Sequence, residues 1–308
     1  MNYSIGIIAA LATLLCWTVG TFAFTAASKN AEPLIVNRVR LLFAATALTM
    51  IVVLIVPAQQ WIAGIEQWLW MGASGIIGLT IGDYFAFNAY RMIGGSKASL
   101  FATFAPAAAL LLGMVLLHEN INATGLFGMA LSLVGITWFV WINGRKNKIT
   151  AAQEGRGMLY AMLGAICQGV GLVLAKKGMN LHEINAIQAT WMRMVMAAGS
   201  TYLIGAFRTN LWMELKNIFA NTRALKPMLL GTLFGPVAGV SFSLLAAQNL
   251  EVSIAQTIFS MLPLSVISVA VITGRERVMW YAWIAAAVSI VGVVVLVWRD
   301  NLADWILG

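Results

Sequence analysis

Four ionisable side chains, Arg38, Arg40, Asp83 and Arg193, fall inside long apolar stretches of this 308-residue chain. A charge at the centre of a bilayer costs roughly 2.5 to 3.5 kcal/mol on insertion scales, so each of them requires a partner or a water-filled cavity. Asp83 is the one acidic residue well inside such a stretch. It can pair with an arginine, accept an ammonium group or take up and release a proton; the plainer reading is an ion pair that joins two helices. Arg38 and Arg193 can each bind an anionic group or lock a gate, or else snorkel to headgroups or loop carbonyls. Arg40 points elsewhere on its helix, and the expectation for it is snorkelling.

Polar and aromatic side chains extend this set. Thr80, Asp83, Tyr84, Phe87 and Arg91 lie within about a third of one helical circumference, a face expected to line a cavity together with Asn88. Ser253, Gln256, Thr257 and Ser260 form a matching stripe, and Ser99 and Thr103 offer hydroxyls on another stretch. Hydroxyls and amides in membrane helices often bond only to their own backbone, so they mark sides rather than contacts. Trp17, with Thr13 and Thr21, stands near the middle of the first stretch, and Gln168 occupies the corresponding place in the sixth. The Trp17 ring can stack on a planar or cationic substrate, or serve packing alone. Pro106 and Pro263 remove backbone donors in mid-stretch and predict kinks that free carbonyls at cavity depth. Glu119 and Glu276, at stretch ends, are expected to cap the following helix or pair with a base.

Several chemistries are excluded by the same residues. His118-Glu119 is followed by Asn122 where a zinc-protease motif requires its second histidine, and with only His118 and His182 in the chain no metal or cofactor site is expected. An aspartyl site requires two carboxyls, and Asp83 has no intramembrane acidic companion. The GxxxxGK[ST] phosphate loop is missing, which removes ATP hydrolysis. No selectivity-filter pattern is present, so a channel fits less well than a transporter. An intramembrane enzyme acting on a lipid-like substrate, or a passive channel, remains the alternative class to transport.

These residues must be held by membrane helices. The chain is 61% hydrophobic and 10% charged, with a mean hydropathy of +0.86, which places it in a lipid bilayer. Ten stretches reach the length of roughly 20 apolar residues that a crossing requires. They run about 4–26, 33–56, 67–90, 97–117, 121–142, 156–177, 185–206, 227–248, 253–273 and 279–298. The first has no basic leader segment, and its Cys16 aligns with Cys167 of the sixth, so it is read as mature helix with both cysteines as small buried residues. Leu211, Trp212, Leu215, Ile218 and Phe219 share one helical face and predict a short interfacial helix. Trp61, Trp68, Trp138, Trp141, Trp280, Trp283, Trp298 and Trp305 fall at expected membrane edges.

The formal charge of +8 is not that of a nucleic-acid binder, because the bases are scattered over short loops. Loops on one side carry Lys29, Arg91, Lys97, Arg145, Lys146, Lys148, Arg156, Arg208, Lys216, Arg223, Lys226, Arg275 and Arg277; those on the other carry Lys176, Lys177 and Arg299. Thirteen against three places both termini outside the cytoplasm by the positive-inside rule.

The chain is also written twice. Arg38, Pro106, Glu119, Gly135 and Trp141 recur in order as Arg193, Pro263, Glu276, Gly292 and Trp298, without a gap from Pro106 onward. Gly78 and Gly82 likewise correspond to Gly235 and Gly239, a small-residue spacing that lets helices approach closely. Five crossings per copy predict an all-α integral membrane protein of ten helices, arranged as two inverted five-helix repeats around a central cavity. The first repeat covers 1–142, a polar connector 143–157, and the second repeat 158–308. Differences between the copies, Asp83 against Val240 and Trp17 against Gln168, are expected to shape specificity.

Ser96-Lys97-Ala98 and Ser253-Ile254-Ala255 each lead into an alanine-rich stretch, with a proline eight residues after the alanine and a glutamate thirteen beyond that. Gly125, Gly128 and Gly135, and then Gly292, mark each last crossing. In these features the chain resembles the EamA branch of the drug/metabolite transporter superfamily over nearly its whole length. The resemblance implies a basket in which crossings one to four and six to nine surround the cavity while five and ten pack outside. It further implies alternating-access export of a small metabolite, such as an amino acid, organic anion or amphipathic compound, with possible proton coupling. The implied setting is the bacterial cytoplasmic (inner) membrane, with termini in the cytoplasm, opposite to the charge count. Asp83 against Val240 departs from a symmetric site.

Overall fold

A computed structural model describes residues 2–28, 30–57, 64–93, 95–143, 151–181, 184–206, 210–274 and 278–301. It is all-helical, with no strand among the described residues. In chain order the helices are α1 (Tyr3–Ser28), α2 (Pro33–Ile55), α3 (65–93), α4 (95–116), α5 (Ala123–Asn143), α6 (Ala151–Leu181) and α7 (Ala186–Ala206). They continue as the short α8 (Leu211–Ala220), α9 (Thr222–Asn249), α10 (Val252–Ile272) and α11 (Trp280–Val297). Eight of these are long and apolar enough to cross a membrane. The sequence reading of ten differs because α3 and α7, although of crossing length, carry Asp83 and Arg193 with many other polar residues and lie outside those eight.

Helices adjacent in sequence are seldom the ones that pack together. α1 packs along α9, and α6 packs along α3; α1 also touches α10, as α6 touches α4. α2 meets α7, α4 meets α10, and α5 meets α11. Exchanging the two halves therefore maps this set of contacts onto itself, and each half supplies its first helix to the third helix of the other.

Glycine makes these contacts close. A Cβ built at Gly171 on α6 would stand 3.0 Å from the Gly78 Cα on α3, and one at Gly20 on α1 would stand 3.4 Å from the Gly235 Cα on α9. Both receiving glycines lie in π-helical turns, Ile76–Ile81 in α3 and Leu233–Gly239 in α9. Pro236, lacking an N–H, accounts for part of the widened turn in α9. Leu79 occupies the matching place in α3, so proline is not the common cause. Hydrogen bonds reinforce the approach: Ser74 Oγ donates to the Gly171 carbonyl, and Thr80 Oγ1 donates to the Ala197 carbonyl at 3.1 Å.

At the outer pair, a Cβ at Gly292 would overlap the Ser132 amide nitrogen, and one at Gly135 would stand 2.5 Å from the Ser289 nitrogen. The two proline helices change register at matching places, α4 through a 3₁₀ turn at Phe101–Thr103 and α10 through a turn at Ser260 and Met261. Apolar side chains such as Leu54, Leu111 and Ile272 face outward, as a lipid environment favours. Trp141, Trp280 and Trp298 are also exposed; Trp61 and Trp305 lie outside the described residues. α8 begins at an Asn210 cap, whose side chain accepts from the Met213 amide, and it exposes Trp212 and Phe219 while burying Ile218.

Gly292→Val, which forces α5 and α11 apart, is expected to destabilise the protein by about 1 to 3 kcal/mol. Gly199→Ala, whose added methyl would meet nothing within 4 Å, should leave thermal stability in detergent unchanged or slightly raised. Equal unfolding temperatures for the two variants would contradict this packing.

Candidate functional site

The largest group of polar side chains remote from the helix ends is centred on Asp83, one residue beyond the glycine that closes the α3 π turn. Asp83 is buried and forms an ion pair with Arg40 of α2 through Oδ2. Its other oxygen, Oδ1, accepts from Gln168 Nε2 of α6 at 3.2 Å, and the same amide donates to the Gly78 carbonyl at 2.9 Å. Gln256 of α10 continues the chain, its Nε2 donating to the Gln168 carbonyl at 3.2 Å. Arg193 of α7, 3% exposed, lays its guanidinium beside Gly78, where a Cβ would stand 3.3 Å from Nη2. Five helices, α2 and α3 of the first half with α6, α7 and α10 of the second, thus contribute to the cluster around one carboxylate.

Arg40 corrects the sequence expectation. It does not snorkel: its Nε donates to Asn37 Oδ1 at 2.6 Å, and its guanidinium lies 5.2 Å from the Phe24 ring centroid and 5.4 Å from that of Phe87. A free carboxylate inside the protein attracts this charge more strongly than a distant interface, and two aromatic faces replace lost hydration. Arg38, in contrast, forms an ion pair with Glu214 of α8, so the two repeat-equivalent arginines have different environments. Arg38 fastens the short helix to the bundle, and Arg193 stays inside it.

The other predicted residues separate into those near this cluster and those away from it. Phe87 flanks Arg40. Trp17 packs edge-on to Phe259 with ring centroids 5.2 Å apart and lies against Gly239; Thr21 donates back to the Trp17 carbonyl at 2.8 Å. Tyr84 is exposed on another side of α3, and Asn88 donates to its carbonyl at 2.7 Å. Thr257 is fully buried and bonded to the Ser253 carbonyl at 2.7 Å. Ser260 donates to the Gln256 carbonyl at 2.9 Å and reaches the Ala102 carbonyl at 3.4 Å. Ala102 is the residue whose carbonyl Pro106 leaves without a helical donor. Pro263 stands in the first turn of the second α10 segment. Ser99 is partly buried on α4. Thr103 donates to the Leu100 carbonyl at 3.0 Å and faces an outer, apolar groove of about 460 Å³ with Leu133, Trp138 and Trp141.

A second ionic group lies at the end of the bundle where α1 begins, and of its members the sequence points only to Glu119. Lys176 pairs with Glu119 at 2.7 Å and donates to the Leu250 carbonyl at 2.6 Å. Glu119 also accepts from the Val252 amide at 2.8 Å, so it does cap a helix, but the helix is α10 of the other half. Beside it, Arg299 Nη2 donates to Glu251 at 2.6 Å and to the Tyr3 hydroxyl at 2.7 Å. The sequence reading places Lys176 in a loop, and its position inside the 156–177 apolar stretch is the signal for burial. Glu276 and His182 lie outside the described residues. No cluster of metal-ligand side chains occurs among the described residues.

The profile described as EamA, EamA-like transporter family, matches residues 4–141 and again residues 155–298. No curated protein matches the chain. One solved structure, named only as a crystal structure of a protein, superposes with a TM-score of 0.75 at 15% identity, covering 96% of this chain and 98% of its own. That likeness concerns the fold.

Removing either partner of the buried Lys176–Glu119 pair leaves an uncompensated charge. Lys176→Met or Glu119→Gln is therefore expected to cost about 3 to 5 kcal/mol, with much of the loss recovered in the double variant. Thermal unfolding of the four proteins in one detergent checks this, and additive losses would show that the two groups are not coupled.

Proposed function

The chain belongs to the EamA-like transporter family, and on that premise we propose that it is a secondary active transporter exporting a small metabolite by alternating access. The observation that carries this reading is the Asp83 cluster. It is buried, remote from either helix end, and assembled from α2 and α3 of one half with α6, α7 and α10 of the other. A polar site at such a seam is where relative movement of two halves would open and close access.

In this reading all ten long helices cross the membrane, α3 and α7 included, because α3 and α7 bury their charges against neighbours instead of presenting them to lipid. The two halves are inverted repeats, as five crossings each require, and the exchange symmetry of their contacts supports this. The setting is the bacterial cytoplasmic membrane. Trp17, Phe259 and Gly239 form the adjoining apolar wall, and the differences between the copies, Asp83 against Val240 above all, give the site its polarity.

Asp83 is the group through which a proton gradient would act. Protonating it would release Arg40 and Gln168 from their present bonds and loosen α2 and α6 from α3. The test uses proteoliposomes loaded with a bacterial metabolite extract, with an imposed pH gradient and mass spectrometry of the released compounds. Wild-type protein is expected to release a defined subset faster under the gradient. Asp83→Asn, folded by size-exclusion chromatography, should lose the gradient dependence. Retained gradient dependence in that variant would remove Asp83 from the coupling step.

A further inference from the structure

We propose that Arg193 is the recognition point for a single carboxylate on the transported compound, so that the substrate is an organic anion and not a zwitterion or a cation. This rests on the transporter reading and sharpens it to a charge class. The cluster holds two guanidinium groups, Arg40 and Arg193, against one carboxylate, Asp83. Asp83 is already committed, one oxygen to Arg40 and the other to Gln168. Arg40 is committed as well, to Asp83, to Asn37 and to the faces of Phe24 and Phe87. The cluster therefore carries one unbalanced positive charge, and Arg193, which lies within the field of Asp83 but has an unbonded Nε, is the guanidinium open to a second anion.

Arg193 has the surroundings of a group awaiting a partner. It is 3% exposed, and its Nε has no hydrogen-bond partner among the described residues. It sits where Gly78 and the π turn leave room, since any larger side chain at that position would crowd Nη2. Burying a guanidinium without an anion is costly, whereas a carboxylate offers two acceptors that match its planar fork and cancels the charge. An ammonium finds no comparable place. The other partly buried acids among the described residues, Glu119, Glu214 and Glu251, are paired with Lys176, Arg38 and Arg299 away from the cluster. A zwitterion would bring a second charge with nothing to receive it.

The test measures thermal stability of the purified full chain in detergent, with acetate and benzoate as probes, each against its neutral amide and against sodium chloride at matched ionic strength. A ligand that binds the folded state raises the unfolding temperature, and the rise grows with the logarithm of its concentration above its dissociation constant. The acids are expected to stabilise the wild type and the amides not to. Arg193→Gln should weaken the acids by about tenfold or more. Should that variant not fold, the wild-type comparison of acid with amide stands, together with Arg193→Lys, which keeps the charge but loses the fork and should weaken benzoate without admitting benzamide.

Stabilisation by amides or chloride equal to that by the acids would overturn the proposal. So would the lack of any Arg193-dependent effect of either acid. Benzoate counterflow in proteoliposomes separates this from the parent reading. Arg193-dependent binding without counterflow of any compound would contradict transport and leave the recognition point standing. Counterflow of neutral or zwitterionic compounds without carboxylate binding would do the reverse.

Discussion

A charge held in an apolar interior must be balanced by another part of the protein, because the surrounding lipid offers neither water nor counterions. This constraint organises the molecule. Asp83 engages Gln168 across the seam between halves; Lys176 of the second half pairs with Glu119 of the first; Arg38 of the first pairs with Glu214 of the second. Arg299 and Glu251 close on Tyr3 in the same way. Apolar packing brings the helices together, and these polar links determine which helices of one half address which helices of the other.

The links stand at three levels. One group surrounds the start of α1, where Tyr3 bonds Glu251. Another surrounds its end, where Asn221 Nδ2 donates to the Asn30 carbonyl at 2.9 Å and Arg38 holds α8. The Asp83 cluster lies between them. Glycine contacts run along the same seam, so the halves approach closely, and glycines of α9 also receive the Phe24 and Trp17 rings of α1. Such a seam suits a rocking movement in which one terminal group opens as the other closes. The middle group would then supply the differential contacts by which a substrate or proton biases the equilibrium.

Much of this was legible in the sequence. Doubling of Pro106 as Pro263 and of Gly78 as Gly235 indicated the repeat, and isolation of Asp83 in an apolar stretch pointed to the polar cluster, with Gln168 and Arg193 brought to it. Arg40 was not legible, because helical periodicity assigns a face but not the neighbour that face will meet. Lys176 and Arg299 read as loop bases by the same limit, although both are buried in ion pairs. Of the three bases assigned to the minority side, Lys176 and Arg299 are therefore neutralised within the bundle. A pattern read at 3.6 residues per turn cannot register a local fifth-residue bond, so the π turns have no signature in the sequence. Tyr84 and Asn88 stand one turn apart at about 100° or more from Asp83 around the same regular helix, far enough for Tyr84 to be exposed while Asp83 is buried.

The central claim is that the two ends of the seam open alternately around the buried cluster. Electron–electron distance measurements test it most directly, with spin labels at exposed Asn120 and Asn180 across one end, and at Asn30 and Lys216 across the other, in a background lacking Cys16 and Cys167. The account predicts that between acidic and alkaline buffer one pair lengthens while the other shortens. Distances that stay fixed at both ends, or that widen together, would contradict it.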